Sequence, residues 1–135
     1  MREILKIPIK PEGLDEIHQH LERILDPVEV PPKINFKLNL MIEELFVNQV
    51  EHGSVEDDSY MTIAIEVGDS TIEIRMEDSG PRFNPLDEPA VDTELPLEKR
   101  CQGGLGIHFV KHYADTVSYQ RKNGKNIVEI TKKFR

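Results

Sequence analysis

The chain has 135 residues, with 31% charged, 38% from the AVILMFWYC set and a formal charge of -8. That balance describes one ordinary globular domain spanning residues 1–135 and excludes a fibrous or disordered polymer. The acidic charge repels nucleic acid phosphates and anionic headgroups, so neither nucleic acid nor membrane is an expected direct ligand, and any phosphate bound needs help from a cation and from backbone dipoles. Cys101 is the only cysteine, which excludes an internal disulfide. With no long apolar run at the N-terminus, the expected location is cytoplasmic.

Arg2 to Ile9 places Ile4, Ile7 and Ile9 in a β-like pattern that Pro8 and Pro11 interrupt, which predicts an edge strand. Leu14, Ile17, Leu21, Ile24 and Leu25 recur at helical spacing and predict an amphipathic helix. Three prolines between Asp26 and Pro32 make a rigid connector, and Pro31 and Pro32 sit where a helix start tolerates a missing N–H. The second helix is expected from about Lys33 to Gly53. Ile34, Leu38, Ile42 and Leu45 form its buried seam, and Glu44, Asn48 and Glu51 share one border of that seam.

Tyr60–Val67 and Thr71–Met76 alternate and are β-branched, joined by Gly68-Asp69-Ser70 as a hairpin. From Asp78 to Gln102 the chain is proline-rich and acidic without periodicity, too long for a plain connection and expected to act as a lid. Gly104 to Ala114 predicts a third helix with Leu105, Ile107, Phe109 and Val110 partly inward. Thr116–Arg121 and Asn126–Phe134 predict a last hairpin around Asn123-Gly124. The expected fold is α+β, a two-layer sandwich of about three main helices on a mixed, mainly antiparallel sheet.

Three segments carry chemistry. In Glu44-x-x-x-Asn48 one-turn spacing sets a carboxylate beside an amide oxygen, so that one can orient a nucleophile while the other holds a hard cation. In Asp78-Ser79-Gly80 a carboxylate at a strand end can accept from an exocyclic amine, and glycine leaves room for a flat ring. In Gly103-Gly104-Leu105-Gly106 exposed backbone N–H groups open a helix and suit polyphosphate, with Arg100 adding a cation. Each segment alone is commonly a solvated helix face, a turn or a hinge. Neither a Walker loop nor a Rossmann fingerprint is present. Cys101, His18, His20 and His52 receive no chemical role, the last as a helix-end group and the middle two as a solvated face.

Taken in order, the three segments resemble the GHKL (Bergerat-fold) ATP-binding superfamily, and within it the stand-alone anti-sigma-factor serine kinase branch, over about the whole chain. Met41-Ile-Glu-Glu-Leu-Phe-Val-Asn-Gln-Val-Glu-His-Gly53 resembles the N box, Met76-Glu-Asp-Ser-Gly-Pro-Arg-Phe-Asn-Pro85 the G1 box, and Gly103-Gly-Leu-Gly-Ile107 the G2 box. The resemblance implies ATP and Mg²⁺ as cofactors, Asn48 as the metal ligand and Glu44 as the residue that orients or deprotonates the attacking hydroxyl. It implies Arg100 at the terminal phosphate and Asp78 as the adenine anchor, with Gly80, Phe83 and Asn84 beside it and Gly103, Gly104, Leu105 and Gly106 around the phosphates. The superfamily often carries a threonine after the last turn where this chain reads Gly124-Lys-Asn126, a departure at one adenine contact. The implied activity is a serine/threonine protein kinase acting on a small STAS-like antagonist protein and sequestering a sigma factor, and a homodimer is a further expectation of the resemblance. The alternative is a nucleotide-gated binding regulator without turnover.

Overall fold

In the computed structural model the elements run β1 (Arg2–Pro8), α1 (Gly13–Leu25), α2 (Pro32–His52), β2 (Tyr60–Val67), β3 (Thr71–Asp78), a 3₁₀ turn (Pro85–Asp87), α3 (Gly104–Tyr113), β4 (Thr116–Lys122) and β5 (Lys125–Lys133). The structure describes residues 1–53, 56–87 and 104–135, without the side chains of Gly104 and Leu105. The strand order is β1-β2-β3-β5-β4. Every pairing among the described strands is antiparallel, so the expected mixed sheet is instead wholly antiparallel. The reason is the topology: β4 lands on the far edge and β5 returns into the gap beside β3.

Register explains the core. Leu5 faces Ile63, Ile63 faces Met76, Met76 faces Val128 and Val128 faces Tyr119, a single row across all five strands. The period-2 alternation puts this row and its neighbours on one face, where Ile63, Ile65, Ile72 and Ile74 are fully buried under the helices. The other face carries Glu66, Glu73, Arg75 and Glu129, all exposed. Two layers result, with the core between them. Among the described residues no helix is long and apolar enough to cross a membrane.

The helices follow their patterns. In α1, Ile17, Leu21, Ile24 and Leu25 are buried, and its polar side is less free than a solvated face: His18 Nδ1 hydrogen-bonds Asn39 Oδ1 of α2 at 2.9 Å. In α2, which starts with Pro32 at its first turn, Leu38, Met41, Ile42, Leu45 and Phe46 are buried. The final hairpin turns through Asn123 at φ 53° and Gly124 at φ 74°. Two consecutive left-handed residues match the right-handed strand twist, which is why Asn-Gly occupies the turn.

Gly13 opens α1 where the chain leaves β1, and a Cβ there would collide with the Pro8 carbonyl, Ile7 and the Phe46 ring. Because one of these is backbone, the clash cannot be relieved by a rotamer change. Gly13→Ala is therefore expected to destabilise the domain by about 1–3 kcal/mol in urea denaturation, the cost typical of an overpacked core, whereas Gly68→Ala, with ordinary contacts only and no positive φ, stays near wild type.

Candidate functional site

β3 ends at Asp78, and the β3–β5 register places Asn126 directly opposite. Both side chains are buried, at 6% and 2% exposure. Asp78 Oδ1 accepts from the Gly80 backbone N–H at 2.9 Å and from Asn126 Nδ2 at 3.1 Å. The same Asn126 amide donates to the Pro81 carbonyl at 2.8 Å, while its Oδ1 accepts from Phe83 N–H at 3.0 Å and Tyr119 O–H at 2.6 Å. Arg121 donates to the Gly80 carbonyl at 2.8 Å. Three strands and a loop are thus tied at one point, and Asp78 Oδ2 takes no part in these bonds.

Above this cluster lies a cleft lined by Leu45 and Gln49 of α2, Met61, Met76, Asp78, Phe83, Pro85, Asn126 and Val128. Its walls are apolar apart from Gln49, Asp78 and Asn126, the composition of a small-molecule site with a few placed polar groups. Its enclosed volume is only about 20 Å³, room for a water and not for a purine unless a side chain moves. A wider hollow of about 390 Å³, lined by Ser59, Tyr60, Ser79, Gly80 and Pro81 among others, adjoins the same loop.

One turn apart on α2, Glu44 is half-buried and Asn48 is 3% exposed. Glu44 does border the seam, but Asn48 is inside it. Among the described residues neither Nδ2 nor Oδ1 of Asn48 has a partner, nor does Gln49 Nε2. Such orphaned groups are rare, each costing about 1–3 kcal/mol. α3 packs on α2 so closely that a Cβ on Gly106 would overlap the Glu44 carboxylate; the glycine is what lets that carboxylate lie against the first turn of α3. Burial pushes the Glu44 carboxyl up from the ordinary glutamate range, with repulsion from Glu43 and then Glu51 adding to it.

The expected site residues therefore divide. Asp78 and Phe83 line one cleft, Gly80 is hydrogen-bonded to Asp78, and Glu44 and Gly106 are in contact. Asn84 faces elsewhere: its Oδ1 caps the 3₁₀ turn by accepting from Leu86 N–H at 2.9 Å, so it does not line the cleft. Gly104 and Leu105 begin α3. Arg100, Gly103, Cys101 and the 88–102 part of the expected lid lie outside the described residues. His52 is only a helix-end group, 3.7 Å from Glu51. Sequence reasoning missed Asn126 as the hub of the cluster, and Gln49 altogether. The departure at Gly124-Lys-Asn126 was the signal for the first; for Gln49 the signal was only its place beside Asn48.

A family model described as the histidine kinase-like ATPase domain matches residues 7–132. The chain belongs to the histidine kinase-like ATPase domain family. Within this family the chain is 25% identical to the serine-protein kinase RsbW of Oceanobacillus iheyensis over 130 residues, covering 92% of this chain and 82% of that protein. It is 22% identical to the serine/threonine-protein kinase BtrW of Bordetella bronchiseptica over 100 residues, covering 73% and 70%. Among solved structures, the RsbU and RsbW domains of a Mycobacterium tuberculosis protein superpose with a TM-score of 0.71 at 13% identity, covering all of this chain and 33% of that one, so this chain spans a third of that structure. The SiaB–SiaC complex of Pseudomonas aeruginosa matches with a TM-score of 0.64 at 13% identity, over 97% of this chain and 89% of the other. The resemblance read from the three boxes, and the ATPase fold it implied, are borne out.

Membership of an ATPase family implies ATP binding, and an amide oxygen such as that of Asn48 is a donor of the kind a hard cation takes. The described residues contain no cluster of three or more His, Cys, Asp or Glu side chains able to hold a metal alone. Asn48 offers a buried amide oxygen that has no partner among the described residues. Mg²⁺ is commonly held in that way, with phosphate oxygens and water completing its shell.

A carboxyl whose folded pKa is raised binds its proton more tightly folded than unfolded, so stability falls as pH rises through the window between the two values. Glu44→Gln is accordingly expected to stabilise the domain at pH 7 and to lose that advantage at pH values below the unfolded glutamate range, where the wild-type carboxyl is protonated in both states. Urea midpoints of both proteins from about pH 3 to 7, spanning the unfolded glutamate range, measure it; a constant difference would contradict the burial assigned to Glu44.

Proposed function

We propose that this chain is a serine/threonine protein kinase that moves the γ-phosphoryl group of ATP onto a serine or threonine of a small STAS-like antagonist protein, and that in its other state it sequesters a sigma factor. The observation that carries the reading is the pair on α2: a carboxylate of raised proton affinity at Glu44 and, at Asn48, a buried amide without a partner among the described residues. The printed activities of the RsbW and BtrW relatives support it.

On this reading Asp78 accepts from the adenine amine through the oxygen that the Asn126 cluster leaves unused, and Phe83 closes over the base. Asn48 holds Mg²⁺, which when bound neutralises phosphate charge. Gly103, Gly104, Leu105 and Gly106 present backbone N–H groups to the phosphates, and Arg100 meets the terminal one. Glu44 orients the incoming hydroxyl and takes its proton as the new O–P bond forms and the bond to ADP breaks. Gly106 supports this step by leaving room for the carboxylate. A homodimer formed through the free edge of β1 or the outer face of α1 is part of the same proposal.

Calorimetric titration with ATP, with and without Mg²⁺ and with GTP as control, tests the site. Asn48→Ala is expected to remove the magnesium dependence. Asp78→Asn keeps an oxygen for Gly80 and Asn126 but turns an N–H toward the base, so it is expected to weaken ATP binding while the domain stays folded. Wild-type affinity in both variants would sink the assignment. In a phosphorylation assay with a matched STAS-type partner, Glu44→Gln is expected to slow transfer by about 10²–10⁴-fold; ATP binding without transfer by the wild type would leave the nucleotide-gated regulator.

A further inference from the structure

Gln49 belongs to none of the roles above, yet it lines the same cleft as Asp78 and Asn126. It is 5% exposed, and its Nε2 has no hydrogen-bond partner among the described residues. Its amide folds back over Gly53, where a Cβ would overlap Nε2 and Cδ. Gly53 caps α2 in ordinary helical backbone, at φ -78°, so the glycine is not required by backbone conformation. Its missing side chain leaves room both for the Gln49 amide and for the Gln49 backbone carbonyl.

We propose that Gln49 is a base-specificity residue, a buried donor that swings from Gly53 into the cleft and hydrogen-bonds a ring nitrogen flanking the adenine amine while Asp78 accepts from the amine. The inference rests on the reading that the Asp78 cleft takes adenine. Three arguments carry it. An amide N–H left unpaired in the interior is costly, and a ligand that pairs it recovers that cost on binding. The cleft encloses about 20 Å³, so something must move to admit a ring. Asp78 and Asn126 are held by the hydrogen bonds of the cluster, whereas moving the Gln49 amide breaks no bond of its Nε2.

The third argument is chemical. On the edge bearing its amine, adenine offers a donor, the amine, flanked by acceptors at N1 and N7. Asp78 supplies an acceptor and Gln49 a donor, so both find partners. Guanine offers a carbonyl oxygen where adenine has its amine, which meets the Asp78 carboxylate acceptor to acceptor. A site that pairs buried polar groups with a base rejects the base that leaves them unpaired.

The test measures binding of ATP, GTP, 1-deaza-ATP and 7-deaza-ATP, each with Mg²⁺, to wild type, Gln49→Met and Gln49→Ala. Gln49→Met keeps the length and apolar volume of the side chain; Gln49→Ala serves if methionine perturbs folding, which thermal melts check. The wild type is expected to bind one of the two deaza analogues at least about fivefold more weakly than ATP, the worth of one hydrogen bond. In the Gln49 variants that difference disappears, ATP binding weakens by a similar factor, and discrimination against GTP by Asp78 persists in part. Unchanged deaza discrimination, or tighter ATP binding in the variants, would overturn the proposal and make Gln49 a plug. Failure of the wild type to bind ATP at all would instead overturn the adenine reading itself, and this inference with it.

Discussion

The buried hydrogen bonds joining Asp78 to Asn126 are the constraint on which the rest of the site depends. A carboxylate taken out of water is tolerated only where donors surround it, and here Gly80 N–H and the Asn126 amide supply them. Asn126 is equally bound to its surroundings, since its amide also holds Pro81, Phe83 and Tyr119. The strand order makes this possible. Because β5 lies between β3 and β4, the first residues after the Asn123-Gly124 turn meet the last residue of β3. A sheet in simple sequential order would have left Asp78 beside a different strand end.

Two halves of the site are consequently built on different principles. The sheet half is satisfied: its polar atoms bond one another, and they position a loop whose path is set by Gly80, Pro81 and Phe83. Among the described residues the helical half is unsatisfied, with the Asn48 amide, the Gln49 Nε2 and the displaced proton equilibrium of Glu44 all on one stretch of α2. Natural cores rarely leave such groups unpaired, and functional sites are where the exceptions gather. Stability is supplied elsewhere, by the fully buried isoleucine rows between sheet and helices, so these few unpaired groups can be carried. Gly106 and Gly53 belong to the same division of labour: each gives room to an α2 side chain, Glu44 in one case and Gln49 in the other.

Much of this was legible in the sequence. Gly68-Asp69-Ser70 and Asn123-Gly124 identified both hairpins because turn chemistry is local. The 3.6-residue spacing of Ile17, Leu21 and Ile24 identified a packed face. Less legible was what depends on non-local pairing. Period-2 alternation says which face a residue takes but not which strand is its neighbour, so the wholly antiparallel order and the Asp78–Asn126 pair could not be read. A helical wheel placed Asn48 on the border of the seam; α3 packing on α2 is what encloses that stretch of the helix. Gln49 was invisible because its orphaned amide is a property of its surroundings, not of any motif. Asn84 shows the converse, a residue of the G1 box whose side chain caps a turn.

The central claim is that the orphaned amides of α2 are completed by a magnesium nucleotide while the Asp78–Asn126 cluster stays as it is. Side-chain amide signals of Asn48, Gln49 and Asn126, followed by NMR in an isotope-labelled sample titrated with ATP and then Mg²⁺, address it most directly. The account predicts that Gln49 shifts on adding ATP, that Asn48 shifts only when Mg²⁺ follows, and that Asn126 remains slow-exchanging and little changed throughout. Saturating nucleotide that leaves Asn48 and Gln49 unmoved, or that displaces Asn126 instead, would contradict it.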